Sequence, residues 1–186
     1  RLLYLDNAYY VFVMISDGKI LINVNRYIIF LSRLLPLLAL KLNASLWVLV
    51  YLYSISFSLK AYVFWLITVY GLKNERVGTA MLFTFLGISS TFFHCISETF
   101  QLMFFAFFLY AWITFVPHLK NRIFSQISYY FIAFLVIGLC VFIHPAATFF
   151  IIFILGFCFF DKNLDLTKKI VLSLLSVGWI VFKLSL

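Results

Sequence analysis

From residue 45 to the end of the chain, long apolar runs alternate with short polar breaks. The breaks are Lys73-Asn74-Glu75-Arg76, His94–Glu98, Pro117–Arg122, His144-Pro145 and Asp161–Lys169. Between them lie six apolar segments: 45–72, 77–93, 99–116, 124–143, 146–160 and 170–186. Segments of this kind suit membrane-crossing helices, which need about 20 apolar residues; a membrane barrel would instead alternate in strands of about 10. The pattern therefore predicts an all-α fold, a polytopic transmembrane helix bundle of about six spans. As one helix, 45–72 would measure about 42 Å against a hydrocarbon core of about 30 Å, so tilt or protrusion is expected. Lys60 interrupts this segment near its middle, either snorkelling to the surface or facing inward.

The first 43 residues read differently. Residues 1–25 mix Asp6, Asn7, Asp17, Lys19, Asn23 and Asn25 with apolar residues, and carboxylates there would be costly in hydrocarbon. This stretch is not a span, and Asp17-Gly18 is a turn signal that closes a short helix. Over residues 26–42, Arg26, Arg33 and Lys41 fall within an arc of roughly 80° at about 100° per residue. That spacing predicts a basic amphipathic helix lying on the membrane, kinked or restarted at Pro36. The expected organisation is an extracytoplasmic loop with interfacial helices over 1–43, followed by the transmembrane bundle over 44–186.

Composition agrees. Hydrophobic residues make up 66% and charged residues 11%, where an ordinary soluble domain has about 25% charged. The formal net charge of +8 does not point to nucleic acid, because no basic tract with polar surroundings is present. Cys95, Cys140 and Cys158 lack metal-type spacing and read as buried thiols. No cleavable signal peptide is visible, and the ends of the sequence read as those of a fragment truncated at both termini.

Charge placement sets a topology. The breaks at 73–76, 118–122 and 161–169 hold seven of the fourteen Lys and Arg residues, and the turns at 94–98 and 144–147 hold none. By the positive-inside rule the first three are cytoplasmic and the two short turns lie outside. The N-terminal region then lies outside as well. Asp6, Asp17, Arg26, Arg33, His94, Glu98 and His144 would share one membrane face. Glu98, alone among acidic residues between Glu75 and Asp161, is a functional candidate because such a group persists near lipid only if paired, solvated or used. A wet headgroup-level turn is the structural alternative. For Asp6-Asn7 that alternative is a helix cap, and for His144-Pro145 a helix stop.

Carboxylates, imidazoles and arginines on one face beside a basic interfacial segment suit an anionic lipid headgroup, because arginine presents a bidentate fork to phosphate. A phosphate leaving group departs as a stable anion, so one carboxylate acting as general base on an acceptor hydroxyl suffices. The order Asp6-Asn7-Ala8-Tyr9-Tyr10, then Gly18, then Arg33-Leu34-Leu35-Pro36 before a long span resembles the first extracytoplasmic loop of the GT-C-type, polyprenyl-phosphate-dependent membrane glycosyltransferases. Ser97-Glu98 between closely joined spans and His144-Pro145 at a later outer turn are similar to that superfamily too. The resemblance implies sugar transfer from a polyprenyl-phosphate donor at the outer face of a plasma membrane, in cell-envelope polysaccharide synthesis. It implies Asp6 as catalytic base with Glu98 as the second catalytic candidate, and Arg26, Arg33, His94 and His144 as substrate-binding residues. No metal ligand set is implied, and a divalent metal requirement stays open. Two alternatives remain: a polysaccharide polymerase of the O-antigen type, and a transporter or flippase in which Lys60 and Glu98 line a pathway.

Overall fold

A computed structural model describes residues 5–19, 29–89, 98–115, 123–144, 146–162 and 164–185. Among the described residues all regular structure is helical. The helices are α1 (Leu5–Asp17), α2 (Ile29–Lys41), α3 (Leu46–Leu66), α4 (Glu75–Ser89), α5 (Glu98–Phe115), α6 (Ile123–Ile143), α7 (Ala147–Phe160) and α8 (Leu166–Leu184). Each apolar segment from residue 45 on carries one α-helix within its described residues. Leu46–Gly71 and Gln126–Ile143 are long and apolar enough to cross a membrane, and Phe100–Phe115 and Ala147–Phe160 are shorter apolar helices.

The boundaries depart from the sequence expectation for physical reasons. α2 does not restart at Pro36 but carries it buried within the helix. The turn expected to run through residue 98 ends earlier, since Glu98 is the first residue of α5, where the helix dipole favours a carboxylate. Lys168 and Lys169, assigned to a loop, lie in the first turn of α8; Lys168 pairs with Asp165 at 3.2 Å. The long segment stays continuous through Lys60 but ends in a π-helical turn, Ile67–Gly71, with the Leu72 amide donating to the Ile67 carbonyl at 2.8 Å. At the other end of the chain, α1 closes at Asp17 and Gly18 turns with φ of 63°, as the sequence predicts.

Only residues 72–74 separate the π turn from α4. Asn74 makes so short a reversal workable: its Oδ1 accepts the Val77 amide at 3.2 Å, capping α4, and its Nδ2 donates to Thr114 Oγ1 at 3.1 Å on α5. Replacing Asn74 with Ala removes the cap and the inter-helix bond together. Asn74→Ala is therefore expected to cost about 2 kcal/mol, read as a lowered thermal midpoint in detergent.

At the centre stands α5. Phe100, Leu102, Phe104, Phe105, Leu109 and Ile113 are all buried and cover most of the helix circumference, and the remaining side, with Met103, Phe107 and Tyr110, is apolar too. A helix apolar all round is a core helix. It packs against α3, α4, α6 and α7, with Phe64 of α3 meeting Phe105 and Phe108 at ring distances of 4.4 and 5.1 Å. A smaller cluster of Val11, Tyr53 and Phe57 belongs to α1 and the first half of α3. The outer surface of the bundle is apolar as well, with Phe83, Phe149 and Phe153 among its most exposed side chains.

Paired contacts fix the helix directions. Lys60 meets Gln101 and Asn74 meets Thr114, offsets of 41 and 40 residues, so α3 and α5 run parallel. Trp179 meets Phe134 and Phe182 meets Phe142, so α6 and α8 are parallel too. Tyr110 meets Phe157, and residues of α5 and α7 line a shared groove. Three hydrogen bonds put residues 73–76, the end of α5, the start of α6 and the described part of 161–169 at one end: Asn74 to Thr114, Trp112 Nε1 to the Tyr129 carbonyl, and Lys169 Nζ to the Phe159 carbonyl. The opposite end collects the start of α5, the turn at His144, the end of α8, and the first half of α3 with α1 and α2 against it.

Candidate functional site

Of the six residues singled out from sequence, Arg26 and His94 lie outside the described residues. Asp6 is the second residue of α1 and Glu98 the first of α5. α5 starts at the end of the bundle away from residues 73–76, and α1 reaches α3 through Val11 against Tyr53 and Phe57. The parallel run of α3 and α5 sets residue 98 level with about residue 57 of α3, close to the Val11–Tyr53–Phe57 cluster that holds α1.

Arg33 is placed otherwise than the amphipathic pattern suggests. It is 2% exposed and shares a buried face of α2 with Pro36 and Ala39, three residues apart along the helix. That face packs on α3, while Phe30, Leu35 and Leu38 are exposed. The basic arc is thus divided, with Arg33 inward and Lys41 outward. Periodicity places residues on a face but does not say which face finds a protein partner, and here α3 takes the one carrying Arg33.

His144 links α6 to α7. Its Nδ1 accepts the Ala146 amide at 3.1 Å, so the ring caps the approach to α7 and carries its proton, when neutral, on Nε2. α6 ends at Ile143 and His144 lies outside it, as a helix stop there requires. The ring is half-buried and sits at the same end of the bundle as residue 98, reached from α3 through α5.

The structure adds a pair that the sequence reading did not assemble. Lys60 Nζ donates to Gln101 Oε1 at 2.5 Å and stands 4.8 Å from the centre of the Phe57 ring, so the cation faces the protein. Gln101 is only 5% exposed. The available signal was its polarity within an apolar helix, three residues after Glu98 and hence on the same side of α5. Beside them, the buried Ser56 hydroxyl donates to the Tyr53 carbonyl at 2.7 Å. Cys140 and Cys158 are buried free thiols. No group of three His, Cys, Asp or Glu side chains suited to a metal occurs among the described residues.

Chemically, this part of the molecule holds two inward-turned cations, Arg33 on α2 and Lys60 on α3. Cations of this kind can neutralise a phosphate, and a carboxylate can accept a proton from a hydroxyl. Comparison with known protein families, with curated proteins and with solved structures finds no match to this chain.

Proposed function

We propose that the protein is a multi-pass integral membrane glycosyltransferase that takes a sugar from a polyprenyl-phosphate carrier at the outer face of the plasma membrane. Burial supports the bilayer: the two longest apolar stretches are only 28% and 44% buried within the protein, whereas core helices of a water-soluble protein would hide most of such a surface. The observation that carries the functional reading is the sorting of the two ends. One collects Lys73, Arg76, Lys162, Lys168 and Lys169, as a cytoplasmic face does; the other collects the start of α5, the His144 turn and the packing of α1 and α2 on α3, the segments that carry Asp6, Arg33, Glu98 and His144.

In this reading Arg33 and Lys60 hold the carrier phosphate, which leaves as an anion, and a carboxylate, Asp6 or Glu98, deprotonates the acceptor hydroxyl as the glycosidic bond forms. His144 positions the substrate from the far side of α5. The test is a transfer assay with the full protein in proteoliposomes and a labelled polyprenyl-phosphate sugar. Arg33→Ala is expected to reduce turnover more than Arg33→Lys, which keeps the charge and loses the fork. Equal activity of both variants and the parent would remove Arg33 from the site.

Inward-facing Lys60 also favours a second reading, transport, in which Lys60 and Glu98 line a pathway. The two part over the product. A transferase releases carrier phosphate and a new glycoside, whereas a transporter delivers its cargo covalently unchanged.

A further inference from the structure

We infer that the groove between α4, α5 and α7 binds one anionic phospholipid, with a hydrocarbon chain in the groove and the phosphate on Arg76. The groove encloses about 450 Å³, inside the roughly 300–1,000 Å³ range of small-molecule sites. Ala80 and Ala106 open it, and Phe153 and Phe157 wall it on the α7 side. Thr84 donates its hydroxyl to the Ala80 carbonyl at 2.8 Å, and apart from Thr84, Tyr110 and Arg76 the lining is aliphatic and aromatic, so the walls offer an occupant mainly hydrocarbon. A sugar or nucleotide would find its polar groups stranded there.

The mouth is different. Arg76 is exposed and lines the groove at the end that gathers the basic connections. Among the described residues that end holds Lys73, Arg76, Lys162, Lys168 and Lys169 against Glu75, Asp161 and Asp165. Lys168 is engaged with Asp165 and Lys169 with the Phe159 carbonyl, whereas Arg76 also borders the groove. An apolar slot with a guanidinium at its rim matches an amphiphile whose negative charge sits directly beside its chain. Anionic lipid is enriched in the cytoplasmic leaflet, the side to which the basic end is assigned. The Arg76 mouth lies at the end of the bundle opposite the proposed transfer site, and the inference rests on the bilayer placement and orientation of the proposed function, not on its chemistry.

The test is native mass spectrometry of the full chain released from bilayers of mixed phosphatidylglycerol and phosphatidylcholine. Retention of phosphatidylglycerol in preference to phosphatidylcholine is expected. Arg76→Ala should weaken phosphatidylglycerol retention by about tenfold, with Arg76→Lys between the two, because the fork is lost before the charge. Ala80→Phe should block the groove and reduce retention of both lipids. Insertion without preference for phosphatidylglycerol, or an Arg76→Ala variant that retains it like the parent, overturns the lipid site alone and leaves the bilayer placement standing. Failure of the chain to enter bilayers overturns both. Should Ala80→Phe not fold, the exposed Arg76 variants still decide the question.

Discussion

Asp6→Asn is expected to lower sugar transfer by roughly 10²–10⁴-fold, the span usual for loss of a general base. The substitution keeps the size and hydrogen-bonding shape of the side chain and removes its basicity. Asp6 lies near the start of α1, a helix held to α3 by the cluster of Val11, Tyr53 and Phe57 at the level of the Lys60–Gln101 contact. Asp17→Asn is the control. Asp17 is exposed at the last turn of α1 and accepts the Ser16 hydroxyl at 2.7 Å, a local contact whose loss should leave turnover within about twofold. If Asp6→Asn transfers normally and Glu98→Gln does not, the base is Glu98. If neither carboxylate matters, transfer chemistry loses its proton acceptor and transport becomes the better account.

The second large effect concerns the seam between α6 and α8. Gly138→Ala is expected to destabilise the protein even though alanine is intrinsically better in a helix by about 1 kcal/mol. A Cβ at position 138 would come within 2.6 Å of the Trp179 ring. That ring cannot simply swing aside. It packs at 4.8 Å from Phe134, 5.8 Å from Phe142 and 5.8 Å from Phe182, and its Nε1 donates to the Phe134 carbonyl at 2.9 Å. This carbonyl belongs to the turn preceding Gly138, the surface that a side chain at 138 would cover. Overpacking costs about 1–3 kcal/mol and the lost hydrogen bond about 1 more, so the clash outweighs the helix gain. Trp179→Ala should be destabilising alone, yet Gly138→Ala on that background should cost little or become favourable. Such a sign change in a double-mutant cycle identifies the contact. A Gly138→Ala single variant with a raised thermal midpoint would contradict the packing.

Why some of this was readable in sequence and some was not follows from particular residues. Apolar runs between polar breaks delimit α3 to α8 because hydrophobic length is a local property, and Asp17-Gly18 marks the end of α1 because a left-handed turn has local chemistry. Partner choice is not local. Arg33 lies on an arc with Lys41 by spacing, yet α3 covers one and leaves the other exposed. α2 continues through Pro36, where the sequence allows either a kink or a restart, so only the restart is set aside. The Lys60–Gln101 contact joins residues 41 positions apart, and only the parallel packing of α3 with α5 reveals it. The closing of α3 by a π turn and the double role of Asn74 likewise depend on how tightly α4 must fold back, which no periodicity encodes.

The account stands on two functionally different ends separated by a membrane, and single-cysteine labelling with an impermeant thiol reagent tests that most directly. In a cysteine-free background, cysteines at Asn43 and His144 mark one end, and cysteines at Lys73 and Lys162 mark the other. Both Asn43 and Lys162 are exposed near helix ends, so the reagent can reach them. The account predicts labelling of positions 43 and 144 in intact cells or sealed right-side-out vesicles, with positions 73 and 162 labelled only after the membrane is opened. Labelling of positions 73 and 144 from the same side of a sealed membrane would contradict it.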